Sequence, residues 1–457
     1  MFRVRIKKLH YFVSALLITS ASTVHAEDLL DIYELASKND PVFTSGIYQY
    51  TASKEIYEQA RALLLPNIKF DIGTTETSQD IVSSDNAVFS QGSTSFPTDE
   101  MNLSITQSIY SFSNWAYFKQ AKEEVKQVAA ELEDVRQELV LRVAEAYFGV
   151  LREHDNYLAI KAEFTALEQH NQVVTAKEKS GNARHTDLLD SEARLSQSEA
   201  RMIETNNALQ DAIQGLREMT GELPETLVLL GDELDLVSPE PYDVQSWLDK
   251  AHATNPMIVA KKSEVAVAYQ EIRRQKGGHY PNIDLVFTQN NSETQGSLFG
   301  GGSEVDTQEV QLKMTVPLYS GGAVSSKVRE TVNLHFKAKD DLEQLSRETA
   351  RETRAAYRGV TASISTVRAL EKSVSAFTIA VDAKRAAFQS GLIASESVLD
   401  AERDLFIARS QFSASRYDYI LNHLRLKRAA GILSEADLQA MNERIDGDTI
   451  STQLEVM

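Results

Sequence analysis

Few residues in this chain are arranged to do chemistry. There is no cysteine, which removes thiol catalysis, disulfides, Cys-ligated zinc and iron–sulfur clusters together. Neither a G-x-x-x-x-G-K-[ST] phosphate loop nor an H-E-x-x-H metal helix occurs. The nine histidines are scattered, and His154, His170 and His185 fall on expected helices, where packing or surface roles outweigh ligation. No enzyme activity, cofactor or metal is therefore expected. What stands out are polar residues close behind two Ser-Gly pairs. Thr186, Asp187 and Asp190 follow Ser180-Gly181, and Asp400 follows Ser390-Gly391. At helix N-termini such side chains complement the macrodipole. Most other carboxylates interleave with Lys and Arg, as in Lys122-Glu123-Glu124 with Lys126, the pattern of a solvated helix face.

The whole chain is acidic, with 47 Lys+Arg against 66 Asp+Glu and a net charge of −19. That argues against nucleic acid as a partner, because phosphate binding needs clustered Lys and Arg. At 457 residues with 42% hydrophobic content, two or three domains with sizeable cores are expected. Twenty glycines and nine prolines are few for this length, so long regular elements should dominate. Residues 1–26 read as a secretory signal: Arg3, Arg5, Lys7 and Lys8, an apolar stretch from Tyr11 to Ile18, then Val24-His25-Ala26. Cleavage before Glu27 removes those four positive charges and takes −19 to −23. No later apolar run approaches the length of a membrane-spanning helix. The product is exported, either soluble or inserted as β-strands.

The elements follow from an internal duplication. Asp40-Pro41 matches Asn255-Pro256, and Leu65-Pro66-Asn67-Ile68 matches Tyr280-Pro281-Asn282-Ile283, both at offset 215. Ile109-Tyr110-Ser111 matches Leu318-Tyr319-Ser320 at offset 209. Ala146-Tyr147, Ser180-Gly181, Leu189-Asp190 and Gly221 then match Ala356-Tyr357, Ser390-Gly391, Leu399-Asp400 and Gly431 at offset 210. The offset changes within 79–98 and 293–303, where loops tolerate insertion. Two repeats, 27–242 and 243–433, are expected, with segments 221–243 and 434–457 outside the main helices.

Each repeat reads helix, strand, loop, strand, very long helix, turn, helix. Strands are expected at about 67–78, 99–110, 280–292 and 304–318. Ile68, Phe70 and Ile72 alternate with Lys69 and Asp71, and Val310, Leu312, Met314, Val316 and Leu318 alternate likewise. Period two over about ten residues suits a half-buried strand and equally a membrane-spanning one. Four strands cannot close a barrel with a lumen, and lipid forbids an open edge. In a membrane, several chains must combine. Long helices are expected at about 111–180 and 320–390, each roughly 105 Å if fully helical. Phe118, Ala121, Val125, Val128, Leu132, Val135 and Leu139 recur at steps of three and four, a coiled-coil seam. The shorter segments 28–64 with 187–220, and 243–279 with 396–430, could lie end to end alongside each long helix.

These residues carry a resemblance. Asp28-Leu29-Leu30-Asp31-Ile32-Tyr33, Asn39-Asp40-Pro41, Leu65-Pro66-Asn67, Gln107-Ser108-Ile109-Tyr110 and Pro317-Leu318-Tyr319-Ser320-Gly321-Gly322, in that order, resemble the TolC family of bacterial outer-membrane channel proteins. The likeness covers almost all of the mature chain. It implies an α+β membrane protein: a homotrimer whose protomers each give four strands to one twelve-stranded transmembrane β-barrel. A long periplasmic α-helical barrel continues it, girdled by a small mixed equatorial domain that should include 221–243 and 434–457. The implied role is a passive outer-membrane duct for tripartite efflux pumps or type I secretion. Drugs, small toxic molecules or secreted proteins would pass through it. The implied partners are outer-membrane lipid, a periplasmic adaptor and an inner-membrane transporter of RND, ABC or MFS type.

The resemblance also implies where such a duct closes. Ser180-Gly181 and Ser390-Gly391-Leu392 sit where tip turns should be, and adaptor hairpins dock at such turns. Asp400 aligns with one member of an acidic ring at the periplasmic constriction, while the other member's position is Ser397. Three copies of Asp400 around an axis would favour cations. Asp187 matches the aspartate of the gate latch, but the latch's arginine and tyrosine positions hold Ile393 and Phe388; Arg184 or Arg385 is the expected stand-in. A periplasmic coiled-coil adaptor or scaffold without channel activity is the alternative. It shares secretion, heptads and acidity, but has no use for duplicated strand pairs.

Overall fold

The computed structural model describes residues 27–83, 92–224, 226–231, 234–297, 301–390, 392–443 and 449–451. In chain order the elements are α1 (Leu29–Asn39), α2 (Pro41–Ala62), β1 (Asn67–Ile81), β2 (Gly92–Ser111), α3 (Phe112–Lys179) and α4 (His185–Thr220). After them come β3 (Thr226–Val228), α5 (Val244–Thr254), α6 (Pro256–Lys276), β4 (Asn282–Thr294) and β5 (Ser303–Thr315). Last among the described residues come α7 (Ala323–Gln389), α8 (Ser395–Ala429), α9 (Glu435–Asn442) and β6 (Thr449–Ser451).

The four long strands form one antiparallel sheet in the order β1-β2-β4-β5. Register places Ile68 opposite Ile105 and Phe70 opposite Leu103, while Ile105 faces Phe287 and Phe287 faces Val310. Every one of those side chains therefore lies on one face. The other face carries Lys69, Asp71, Ser104, Thr288, Gln311 and Lys313, with Asp284 directly opposite Lys313. Among the described residues nothing covers the apolar face: Phe70 is 60% exposed and Val310 is 74% exposed. The strands differ from expectation in two places. The first hairpin is longer, with β2 beginning at Gly92 and paired to Ile81. β5 stops at Thr315, not 318, because Pro317 has no N–H to give a ladder.

The long helices α3 and α7 have 68 and 67 residues, about 100 Å each. α2 and α4 lie along α3, while α6 and α8 lie along α7 and also against α3, which joins the two halves. On the strand side the helices run α2-α3-α6-α7. That order repeats the order of the strands they feed.

The repeated Asp-Pro and Asn-Pro pairs build the joints between stacked short helices. Asp40 N-caps α2 by accepting the Phe43 N–H at 2.7 Å, with Pro41 at the first helical position. Its carboxylate also accepts two hydrogen bonds of 3.0 Å from Arg142 of α3. Asn255 caps α6 in the same way and donates to the Ala429 carbonyl at the end of α8. Gly431 ends α8 with φ +70°, and a Cβ there would lie 2.3 Å from the Asn255 Cα. Around these joints sits the main core, where Leu139, Val143, Tyr147 and Phe148 of α3 meet Leu209, Ile213 and Leu216 of α4 and Leu424 of α8. Beside it, β3 pairs with β6 and α9 packs on α1. The Tyr147 hydroxyl donates to the Val228 carbonyl at 2.7 Å, tying that small sheet to α3.

Candidate functional site

Both long helices end in tight turns at the end of the molecule remote from the sheet. After α3, Gly181 takes φ +70°; its N–H reaches the Glu178 carbonyl at 2.9 Å, and that of Asn182 reaches Lys177 at 2.8 Å. This paired pattern satisfies the last carbonyls of the helix and reverses the chain within two residues. Ser180 caps the same turn by donating its hydroxyl to the Lys177 carbonyl. After α7, Ser390 caps and the Leu392 N–H reaches the Ala387 carbonyl at 3.0 Å; Gly391 lies outside the described residues. Leu392 is 78% exposed. The two turns touch, because the Lys177 ammonium stands 4.7 Å from the Phe388 ring centre.

Behind the turns, α3, α4 and α8 enclose polar grooves of about 420 and 330 Å³. Arg194 on α4 is the hub between them. Its Nε donates to Asp190 at 3.1 Å and its Nη1 to Asp400 of α8 at 3.1 Å, while Glu396 stands 3.8 Å away. The hydrogen bond to Asp400 and the nearby carboxylates hold the Arg194 guanidinium protonated above its ordinary value. Arg403, three residues on along α8, approaches Asp400 at 3.8 Å. Two turns deeper, Arg201 donates at 2.6 Å to Glu163, whose side chain is only 6% exposed. His170 lines the tip groove, and burial holds its pKa below the ordinary 6.5, so the ring is neutral at pH 7.

The expected site residues divide accordingly. Asp190 and Asp400 are brought together, through Arg194. Ser397 is half-buried one turn before Asp400. Among the described residues Asp187 has no cationic side-chain partner; it accepts the backbone N–H of Arg184 at 3.2 Å and so caps its own helix. Arg385 is committed to Glu402 at 2.7 Å. Among the described residues, neither expected stand-in brings its side chain to Asp187 within the chain. Arg194 was not anticipated. Its one local signal is the four-residue spacing from Asp190, which puts acid and base on the same helix face.

The comparisons agree with this architecture. The family model for outer membrane efflux proteins matches residues 32–222 and 247–432. The chain is 31% identical to the outer membrane protein TolC of Vibrio cholerae, over 95% of this chain and 98% of that relative. It is 26% identical to the alkaline protease secretion protein AprF of Pseudomonas aeruginosa, over 96% of this chain and 92% of the relative. Among solved structures, the Campylobacter jejuni CmeC outer membrane channel superposes with a TM-score of 0.79 at 14% identity, covering 98% of both chains. Architecture, duplicated sequence and these matches converge: the chain belongs to the outer membrane efflux protein family.

Proposed function

We propose that three copies of this chain close into one tube and form the outer-membrane exit duct of an efflux pump or type I secretion system. The observation that carries this is the shared edge order of sheet and helices. β1-β2-β4-β5 is an open ribbon, apolar on one face and polar on the other. Lipid does not tolerate its unpaired edges. β1 and β5 run in opposite directions, so β5 of one copy can receive β1 of the next without breaking the antiparallel pattern. Three copies give twelve strands, an even number, with the apolar face toward lipid and Lys69, Asp71, Gln311 and Lys313 toward water.

The helices extend this ring into the periplasm, with the two repeats 27–242 and 243–433 side by side and 221–243 and 434–457 as the girdle. The tip turns at Ser180, Gly181, Ser390, Gly391 and Leu392 receive the adaptor. Asp400 forms the acidic constriction, flanked by Asp190, Asp187 and Ser397. Relatives named for protease secretion, and a relative and a family model named for outer-membrane efflux, support both cargo classes. RND, ABC or MFS transporters could therefore drive transport. Family membership also favours this reading over the periplasmic adaptor or scaffold.

Planar bilayers test it. Protein extracted from outer membranes with detergent should give discrete single-channel currents. A protein that is soluble without detergent and electrically silent overturns the proposal.

A further inference from the structure

The two free helical edges of the protomer carry opposite charge. α7 meets its neighbours through a stripe that includes Thr353, Val360 and Val367. Away from it run two adjacent columns at multiples of seven residues, all exposed: Arg347, Arg354 and Arg368, about 100° round the helix, then Arg351, Arg358 and Lys372, nearly opposite the stripe. Seven residues are close to two helical turns, so each column keeps one side of the helix. Arg347 and Arg351 are answered by Glu343, Glu348 and Glu352 of the same helix. Among the described residues, no ion pair occupies Arg354, Arg358, Arg368 or Lys372. In a chain of net charge −19 this is a concentrated basic surface.

α4 presents the counterpart. Its packed stripe includes Leu209, Ile213 and Leu216. Opposite it stand Glu204, Asp211 and Glu218, again seven residues apart, exposed and without an ion pair among the described residues. Contacts within the protomer fix the heights of the two edges. Glu163–Arg201 sets α4 against α3, Arg152–Asp418 sets α8 against α3, and Thr353 reaches Ala429 between α7 and α8. Carried through these three registers, Arg358 is level with Glu218, Lys372 with Glu204, and Arg368 lies within one turn of Asp211. Rotation about an axis parallel to the helices preserves those heights.

We propose that the basic columns of α7 on one copy dock against the acidic column of α4 on the next, as an ion-paired seam between subunits. This rests on the reading that copies form a ring. The seam joins two different surfaces, so it repeats head to tail around the axis, as a closed ring requires. Each exposed pair contributes little. Several in register over roughly 21 Å of helix set height and direction, because a slipped or inverted partner meets like charge.

The test uses the full chain in detergent with native mass spectrometry, and circular dichroism to verify that each variant is helical. One variant carries Arg358→Glu, Arg368→Glu and Lys372→Glu; a second carries Glu204→Lys, Asp211→Lys and Glu218→Lys; a third combines all six. The wild type should be a trimer. Each one-sided reversal should lower the trimer-to-monomer ratio by about tenfold or more, and the combined variant should recover to within about twofold. One-sided variants that trimerise like the wild type overturn the seam and leave the ring standing. A combined variant that fails to recover overturns the α7–α4 pairing. A monomeric wild type overturns the ring itself, before any reversal is read.

Discussion

Arg194 on α4 and Asp400 on α8 meet at 3.1 Å, with Glu163 and Leu167 of α3 lining the same groove. The acidic residue expected at the constriction thus carries its own counter-charge, and the same contact ties α4 to α8. Arg194→Ala should bare Asp190, Glu396 and Asp400 and free the two helices. Cation preference and resting conductance should both rise, read as the reversal potential across a salt gradient and the single-channel current. Asp400→Asn should weaken the cation preference. The pair is partly exposed, so either change should move stability by less than about 1 kcal/mol. Unchanged selectivity in both variants would remove Asp400 from the conducting path.

Asp40 predicts acid sensitivity. Burial alone would raise its pKa, but the two Arg142 hydrogen bonds and the Phe43 N–H outweigh it and hold the carboxyl below the ordinary 3.8. A depressed pKa contributes stability that is complete above the unfolded value and is lost as pH falls through the folded one. Thermal unfolding should therefore show an Asp40-dependent loss of stability below about pH 4. Arg142→Ala leaves the carboxylate, 2% exposed, without its cation, and should cost about 3–5 kcal/mol at pH 7. An Arg142→Ala midpoint matching the wild type would contradict this account of the joint.

Gly431 and Gly181 share φ +70° but not their surroundings. At Gly181 a Cβ meets nothing within 4 Å, so Gly181→Ala should cost only the left-handed conformation, about 1–2 kcal/mol. Gly431→Ala adds a collision with the Asn255 backbone and should cost clearly more. Paired unfolding curves in detergent check the order, and equal losses would show that the α8–α6 joint yields.

The sheet predicts an asymmetry between neighbours. Phe70→Lys places a charge on the proposed lipid face and should cost about 2–4 kcal/mol, seen as reduced outer-membrane assembly. Asp71→Lys, on the polar face, should assemble at near wild-type levels. Equal defects would mean that the two faces see the same solvent.

What the sequence revealed and what it hid have physical causes. Ile68, Phe70 and Ile72 declared their strand because one face must be apolar, and Asp40-Pro41 with Asn255-Pro256 declared helix starts because capping and proline act locally. The segment from Gly92 to Thr98 hid its strand: Ser93, Thr94, Ser95 and Thr98 are polar on both sides and leave no alternation to read. Arg194 was hidden for a different reason. Its partner Asp400 lies 206 residues away, and only the packing of α4, α3 and α8 brings them together. Ile393 and Phe388, which broke the expected latch, gave no hint of what replaces it.

The central claim is that β1 of one copy pairs with β5 of another. The chain has no cysteine, so Phe70→Cys on β1 can be combined in turn with Gln308→Cys, Val310→Cys and Leu312→Cys on β5. Within one chain β2 and β4 separate these strands, putting them about 14 Å apart, too far for a disulfide. Oxidation in intact outer membranes should give, for at least one pair, covalent dimers and trimers and nothing larger on a denaturing gel. Monomers alone for every pair, or a ladder continuing past three, would contradict the account.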